Sequence, residues 1–118
     1  MVCTFDGTDA AVSSDARFKV SGKQASCAEI TVNELGRTFT KYLKVESGTQ
    51  VSFATSENLT LKLYVDTVGK RIKVDGENYT SESTENADNC ITVCLSAGTH
   101  TVSKGDALGL FALQLSAA

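Results

Sequence analysis

The sequence predicts an all-β fold, an antiparallel β-sandwich or jelly roll of about nine strands. Apolar and polar residues alternate with a period of two, and turn residues recur about every eight to twelve positions. No stretch shows the periodicity of an amphipathic helix. The predicted strands cover residues 17–20, 28–32, 37–46, 50–54, 58–65, 70–74, 90–95, 99–103 and 108–115.

The turns between these strands carry glycine, serine, asparagine or aspartate, which tolerate the backbone angles of tight turns. Within a strand, alternation decides which side chains face outward: Lys44 lies between Leu43 and Val45 and should point to solvent. The predicted turns are Ser21-Gly22, Ser47-Gly48, Asp75-Gly76-Glu77-Asn78, Ala97-Gly98 and Lys104-Gly105-Asp106.

Length and charge restrict the class of protein. The 118 residues are 42% hydrophobic and lack proline, which fits one domain spanning residues 1–118. The net charge of −3 gives no overall basic field, so we expect no nucleic-acid partner. The longest apolar stretch, residues 107–113, is too short to cross a bilayer, so we expect no membrane partner either. The N-terminus lacks the pattern of a signal peptide. We expect a soluble module cut from a longer polypeptide.

Residues 58–76 are the most informative segment, because they predict a hairpin with a basic outer face. Leucines and Val65 alternate with Lys62 and Tyr64 in the first strand, and Ile72 and Val74 alternate with Arg71 and Lys73 in the second. If the two strands pair, Tyr64 meets Arg71 and Lys62 meets Lys73. Like charges that face each other destabilise a sheet unless an anion binds between them. The alternative is a solvated face with no ligand.

Four cysteines allow several arrangements. Cys90 and Cys94 lie on one predicted strand, about 13 Å apart, which is too far for a bridge between them. Either Cys3 and Cys27 each bond to one of that pair, or all four are thiols packed as small apolar groups. A zinc site is not expected, because the chain has no Cys-x-x-Cys pair and a single histidine, His100.

The polar segment 80–89 contains three carboxylates and reads most simply as an exposed loop. Calcium prefers such oxygen ligands, but the segment lacks the spacing of a calcium-binding loop. We therefore expect no metal and no cofactor.

The residues that enzymes of this size use are missing. There is no Gly-x-Ser-x-Gly turn, His-Glu-x-x-His helix or phosphate-binding loop, and His100 is the only histidine. We expect no enzyme activity. The chain also lacks tryptophan, so a flat aromatic platform for neutral sugars is poorly supplied. Lysine and arginine on strand surfaces instead suit a ligand that carries carboxylates.

Four segments, taken in order, strengthen this interpretation. They are Phe18-Lys19-Val20-Ser21-Gly22, Tyr42-Leu43-Lys44-Val45-Glu46-Ser47, the run from Ile72 to Thr80, and Ile91-Thr92-Val93 with the run from Ala97 to Asp106. Together they resemble the family 77 carbohydrate-binding modules, β-rich modules appended to bacterial pectate lyases. The likeness covers residues 18–115.

The resemblance implies a β-sandwich that binds homogalacturonan, the acidic backbone of pectin, through basic side chains. It implies that Lys44, Lys73 and Lys104, which lie in matching segments, contact uronate carboxylates. The hairpin pattern adds Lys62, Arg71 and Tyr64. A secreted parent enzyme that degrades pectin follows from the resemblance alone.

Two alternatives belong to other classes. One is a structural or interaction module whose basic strip pairs with an acidic neighbour domain and binds no glycan. The other is a small lyase that uses Arg71 or a lysine as its base.

Overall fold

The computed structural model describes residues 2–4, 18–32, 36–67, 69–80 and 90–117. Every regular secondary-structure element in these ranges is a β-strand. The described residues therefore contain no helix that is long and apolar enough to span a bilayer. The strands are β1 (Val2–Thr4), β2 (Lys19–Ser21), β3 (Lys23–Val32), β4 (Arg37–Val45), β5 (Gln50–Thr55), β6 (Leu59–Val65), β7 (Arg71–Val74), β8 (Glu77–Thr80), β9 (Cys90–Leu95), β10 (Gly98–Lys104) and β11 (Leu108–Ala117).

The strands form two antiparallel sheets, which confirms the predicted β-sandwich class. Sheet A has the order β3-β4-β11-β6-β9, with β1 pairing the second half of β11. Sheet B has the order β2-β5-β10-β7-β8. Antiparallel sheets of this kind bury one face each and leave the other toward solvent.

The main core lies between the two sheets and follows directly from the alternation in the sequence. Leu61 and Leu63 of β6, Leu113 of β11 and Ile72 of β7 are completely buried there. Residues between them in sequence point to the outer faces. The predicted outward direction of Lys44 is confirmed, since Leu43 and Val45 are buried and the Lys44 side chain is 47% exposed.

A second, smaller apolar cluster exists apart from the main core. It contains Phe39, Tyr64, Phe111 and Ala112, all buried. Tyr64 alternates with Leu63 and Val65 and therefore belongs to the outer side of β6. It is nevertheless fully buried, and its hydroxyl donates to Gln114 Oε1 at 2.8 Å. The prediction of Tyr64 as a surface ring that covers a sugar was therefore wrong.

The predicted hairpin between residues 58–65 and 70–74 was also wrong. β6 pairs with β11 and β9 in sheet A, while β7 pairs with β10 and β8 in sheet B. Consecutive strands are spatial neighbours only about two-thirds of the time. Here the connection between β6 and β7 crosses from one sheet to the other, so Lys62 does not face Lys73 and Tyr64 does not face Arg71.

Each of the nine predicted strands has a counterpart, and the described residues contain two more strands. β1 was not predicted, and β8 occupies part of the segment predicted as a loop after Val74. The turn between β7 and β8 is only two residues long, because Asp75 (φ 53°) and Gly76 (φ 84°) both adopt positive φ. An Asp-Gly pair of this kind is a frequent hairpin turn.

Cys90 and Cys94 lie on β9 and are not joined to each other, as predicted. Cys94 is an exposed free cysteine, so the predicted alternative in which it bonds to Cys3 or Cys27 is not found, while the side chains of Cys3 and Cys27 themselves lie outside the described residues. Residues 81–89, which make up most of the acidic segment, also lie outside the described residues, so the structure does not test the expectation about calcium there.

Candidate functional site

Four basic residues lie near the start of β7 and the end of β10. Arg71 and Lys73 point outward from β7 because Ile72 between them is buried, and their Cα atoms are about 6.6 Å apart. Lys104, the last residue of β10, pairs with Ile72. We call Lys70, Arg71, Lys73 and Lys104 the cationic corner.

Arg71 is held by the carboxylate of Asp106, which lies in the loop between β10 and β11. Its Nε and Nη2 donate to the two oxygens of Asp106 at 3.2 Å each, and its backbone N–H donates to Oδ2 at 2.8 Å. The side-chain hydrogen bond from Arg71, with the backbone hydrogen bond, lowers the pKa of the Asp106 carboxyl to about 2. Asp106 therefore neutralises one of the four cations.

Lys73 has no such partner. It lies on the outer face of sheet B between Ser103 of β10 and Asn78 of β8, which occupy the paired positions on the neighbouring strands. Its ammonium makes no hydrogen bond or ion pair in the part of the chain that the structure describes. Asn78 and Ser103 add polar side chains beside it, so this surface suits a ligand with both hydroxyl and carboxylate groups.

Lys104 and Lys70 border the corner on the side of the β10–β11 loop. Lys104 shares the phase of the buried Val102 but ends its strand, so its half-buried side chain leaves from the edge of the sandwich. Lys70 is exposed and donates from Nζ to the backbone oxygen of Ala107 at 3.2 Å. The pattern of alternation did not identify Lys70, because in the strand predicted over residues 70–74 it has the inward phase of Ile72. Its position next to Arg71 in the sequence was the available signal.

The structure divides the six predicted ligand-binding residues between the two sheets. Arg71, Lys73 and Lys104 lie at neighbouring positions on β7 and β10 in sheet B, with Lys104 in the inward phase of Ile72, in a chain whose net charge is −3. Lys44 and Lys62 lie on the outer face of sheet A, as does the buried Tyr64. Lys44 contacts Glu46 Oε1 at 3.2 Å, and Lys62 is half-buried between Gln114 and Thr92. A single straight ligand on sheet B therefore does not reach Lys62.

The opposite end of β7 and β10 is acidic. His100 is buried, with Nδ1 2.7 Å from Asp75 Oδ2 and Nε2 2.7 Å from the backbone oxygen of Ser96. Burial raises the pKa of the Asp75 carboxyl, but hydrogen bonds from His100 and the backbone N–H of Thr101 outweigh burial and lower it. Glu77 adds a carboxylate, which accepts a hydrogen bond from the Tyr79 hydroxyl at 3.1 Å.

These groups at the acidic end satisfy one another instead of forming a reaction centre. Both ring nitrogens of His100 are engaged with acceptors, which leaves neither nitrogen to act as a base. Among the described residues there is no group of three or more histidine, cysteine or carboxylate side chains able to hold a metal ion. The exposed cationic corner is thus the better candidate for a binding site.

Comparisons with known proteins indicate the type of module. The chain is similar to a solved structure from work entitled "The complexity of the Ruminococcus flavefaciens cellulosome reflects an expansion in glycan recognition". The TM-score is 0.77 and the sequence identity 31%, over 88% of this chain and 84% of the other. No curated protein matches the chain.

The family comparison covers nearly the whole chain. The sequence profile of carbohydrate binding module 77 matches residues 1–113, which include every strand of sheet B and the entire cationic corner. Families of this type are non-catalytic binding modules. The chain therefore belongs to carbohydrate-binding module family 77.

Proposed function

We propose that this module binds low-ester homogalacturonan, the acidic form of the pectin backbone, through its surface lysines and arginine. The observation that carries the proposal is the cationic corner, four cations of which Asp106 neutralises one, in a chain of net charge −3. An acidic protein that concentrates positive charge at one place favours a negatively charged ligand there.

Lys73 is the central contact in this proposal. Because its ammonium has no partner in the described part of the chain, a uronate carboxylate gains a charge-assisted hydrogen bond without breaking an internal one. Lys104 and Lys70 supply further ammonium groups at the edge of the same surface. Arg71 contributes through the donors that Asp106 does not use.

The charge of the ligand follows from this chemistry. Methyl esterification converts a carboxylate into a neutral ester, which accepts a much weaker hydrogen bond from an ammonium group. Ester-rich pectin should therefore bind more weakly than polygalacturonate. Neutral galactan offers no carboxylate and serves as a negative control.

The biological role that we propose is targeting. Carbohydrate-binding modules belong to larger enzymes or cellulosome components, and the ligand chemistry here suggests an attached catalytic domain that degrades pectin. We further propose that the parent enzyme is secreted, because plant cell walls lie outside the cell.

Affinity electrophoresis in gels that contain polygalacturonate tests the proposal first. Retardation by polygalacturonate, with less by ester-rich pectin and none by galactan, would support it. Equal retardation by ester-poor and ester-rich pectin would refute it. Release of unsaturated uronides absorbing in the ultraviolet would indicate a lyase, and no retardation in any gel would favour the structural role.

A matched pair of substitutions then locates the site. Lys73→Ala and Lys62→Ala remove the same charge from the outer faces of the two sheets. Because an exposed ion pair contributes about 0.2–1 kcal/mol, Lys73→Ala should raise Kd by about 1.4- to 5-fold, measured by titration calorimetry. A larger loss for Lys62→Ala than for Lys73→Ala would move the principal site to sheet A.

A further inference from the structure

The outer face of sheet A carries a second arrangement suited to an acidic ligand, away from the cationic corner. Lys23 of β3 and Lys44 of β4 are direct cross-strand partners, and both are exposed. Like charges in this position repel each other. Glu46 relieves Lys44 through its 3.2 Å contact, whereas Lys23 makes no hydrogen bond or ion pair within the described residues.

A tyrosine lies next to this lysine pair. Tyr42 is two residues before Lys44 on β4 and so shares its face, with the small Ala25 directly opposite on β3. Its ring lies on the backbone of Gly109 in β11: a Cβ at that glycine would be 2.1 Å from Tyr42 Cδ2. Its neighbours Ala25 and Gly109 on the two adjoining strands are small, and the ring is half-buried.

Packing alone accounts for only part of this arrangement. Tyr42 contacts Phe111, with ring centroids 5.7 Å apart, and this explains the side of the ring that faces the second apolar cluster. It does not explain two lysines placed opposite each other. The Tyr42 hydroxyl also makes no hydrogen bond among the described residues, although a phenol that serves only packing usually finds one when buried.

We propose that Tyr42, Lys23 and Lys44 form a second binding site for uronate oligosaccharides, separate from the cationic corner. The side of the Tyr42 ring that faces away from Gly109 packs against a sugar ring, and a uronate carboxylate lies between the two ammonium groups. A bound carboxylate converts the repulsion between Lys23 and Lys44 into attraction on both sides. This inference rests on the proposed function, since it takes the same class of ligand.

Two sites on different sheets change how the module binds a polymer. Lys73 lies on the outer face of sheet B and Lys44 on that of sheet A, and stacked sheets are about 10 Å apart before side chains are added. A short oligomer occupies one site at a time. A long chain, or two neighbouring chains, engages both sites and gains from the effective concentration of the second contact.

The test uses a galacturonic acid trimer and the double variant Lys73→Ala/Lys104→Ala, which removes two of the four cations of the cationic corner, including the central Lys73. We expect this variant to retain measurable trimer binding by calorimetry. In NMR titration, the backbone amides of Ala25 and Gly109 should shift as trimer is added. In the same background, Lys23→Ala/Lys44→Ala should lower the remaining affinity by about fivefold or more, whereas Lys19→Ala, an exposed lysine on sheet B, should not.

Two further variants test the site without removing its lysines. Tyr42→Leu keeps an apolar contact with Phe111 but removes the ring, and should lower trimer affinity severalfold. Glu46→Gln removes the carboxylate that competes for Lys44 and should raise affinity about twofold. Thermal unfolding checks that each variant is folded. If Tyr42→Leu does not fold, the trimer affinities of the lysine and Glu46 variants test the second site.

The outcomes separate the two proposals. If the wild type binds trimer but Lys73→Ala/Lys104→Ala abolishes binding, with no shift at Ala25 or Gly109, the second site is refuted while the proposed function stands. If the wild type binds neither trimer nor polygalacturonate, both are refuted. Trimer binding that survives the corner variant and is lost with Lys23→Ala/Lys44→Ala establishes the second site.

Discussion

β7 and β10 carry polar groups at both ends, but the two ends use them differently. At the acidic end, Asp75 receives hydrogen bonds from His100 and from the backbone of Thr101 while it forms the tight turn before β8. At the cationic corner, Arg71 has an internal partner and Lys73 has none among the described residues. Polar groups that satisfy one another stabilise the fold, and cations left toward solvent remain available to a ligand.

The largest expected effect is on stability and comes from the acidic end. His100→Ala removes two hydrogen bonds, one of them to a carboxylate, and the contact of the buried ring with Phe53, whose centroid is 5.7 Å away. We expect the free energy of unfolding to fall by about 2–3 kcal/mol. Urea denaturation measures it, and galacturonate affinity should remain unchanged.

Asp75→Asn provides the matched control, because asparagine also tolerates the positive φ of this turn. In a double-mutant cycle, the two substitutions together should cost less than the sum of the single effects, with a coupling of about 0.5–3 kcal/mol. Strict additivity would show that His100 and Asp75 do not stabilise each other.

The second effect is on binding and comes from the cationic corner. Lys73→Glu replaces an attractive charge with a repulsive one on the exposed face of sheet B, so Kd for polygalacturonate should rise by about tenfold or more. Titration calorimetry measures the change. Urea denaturation should show little loss of stability, because Lys73 makes no internal ion pair in the described chain. A stability loss as large as that of His100→Ala would contradict the division of roles.

The third effect is on salt dependence, which should differ between the two ends. Exposed charges are screened over a Debye length that shortens from about 10 Å at 0.1 M to about 3 Å at 1 M salt. Polygalacturonate affinity should therefore fall severalfold over this range. The destabilisation by His100→Ala should change little, because His100 is buried. Salt-independent binding would argue against a corner that acts through charge.

The smallest effect is on acid stability. The pKa of Asp106 is lowered to about 2 from an ordinary value of 3.8, so its ionised form stabilises the fold at neutral pH. That contribution is lost as the pH falls from about 4 toward 2, since the native carboxyl must then be protonated. Thermal unfolding between pH 2 and pH 5 should show a flatter profile for Asp106→Asn than for the wild type. Identical profiles would show that the pair with Arg71 contributes nothing.

Local patterns predicted much of the fold. Alternation placed Lys44 outward and Leu43 inward, and this was confirmed because the side-chain period of a strand is two in any sheet. Turn residues marked the boundaries of most strands for a similar reason, since glycine and aspartate tolerate backbone angles that few other residues adopt. The order of four segments was enough to indicate the family.

The same patterns did not predict which strands pair with each other. β6 is equally apolar on its inner side whether it pairs with β7 or with β11 and β9, so alternation does not select its neighbours. Tyr64 illustrates the same limit, because its outward position in the pattern is covered by a second apolar cluster.

The sequence by itself thus determined that the protein is built from strands and which side chains alternate along each strand, because both depend on neighbours within a few residues. Only the tertiary structure decided that Lys62 and Lys73 lie on different sheets, and that Arg71 meets Asp106 across 35 residues of sequence. Those contacts depend on how the two sheets pack to bury their apolar faces, and this packing involves residues from the whole chain.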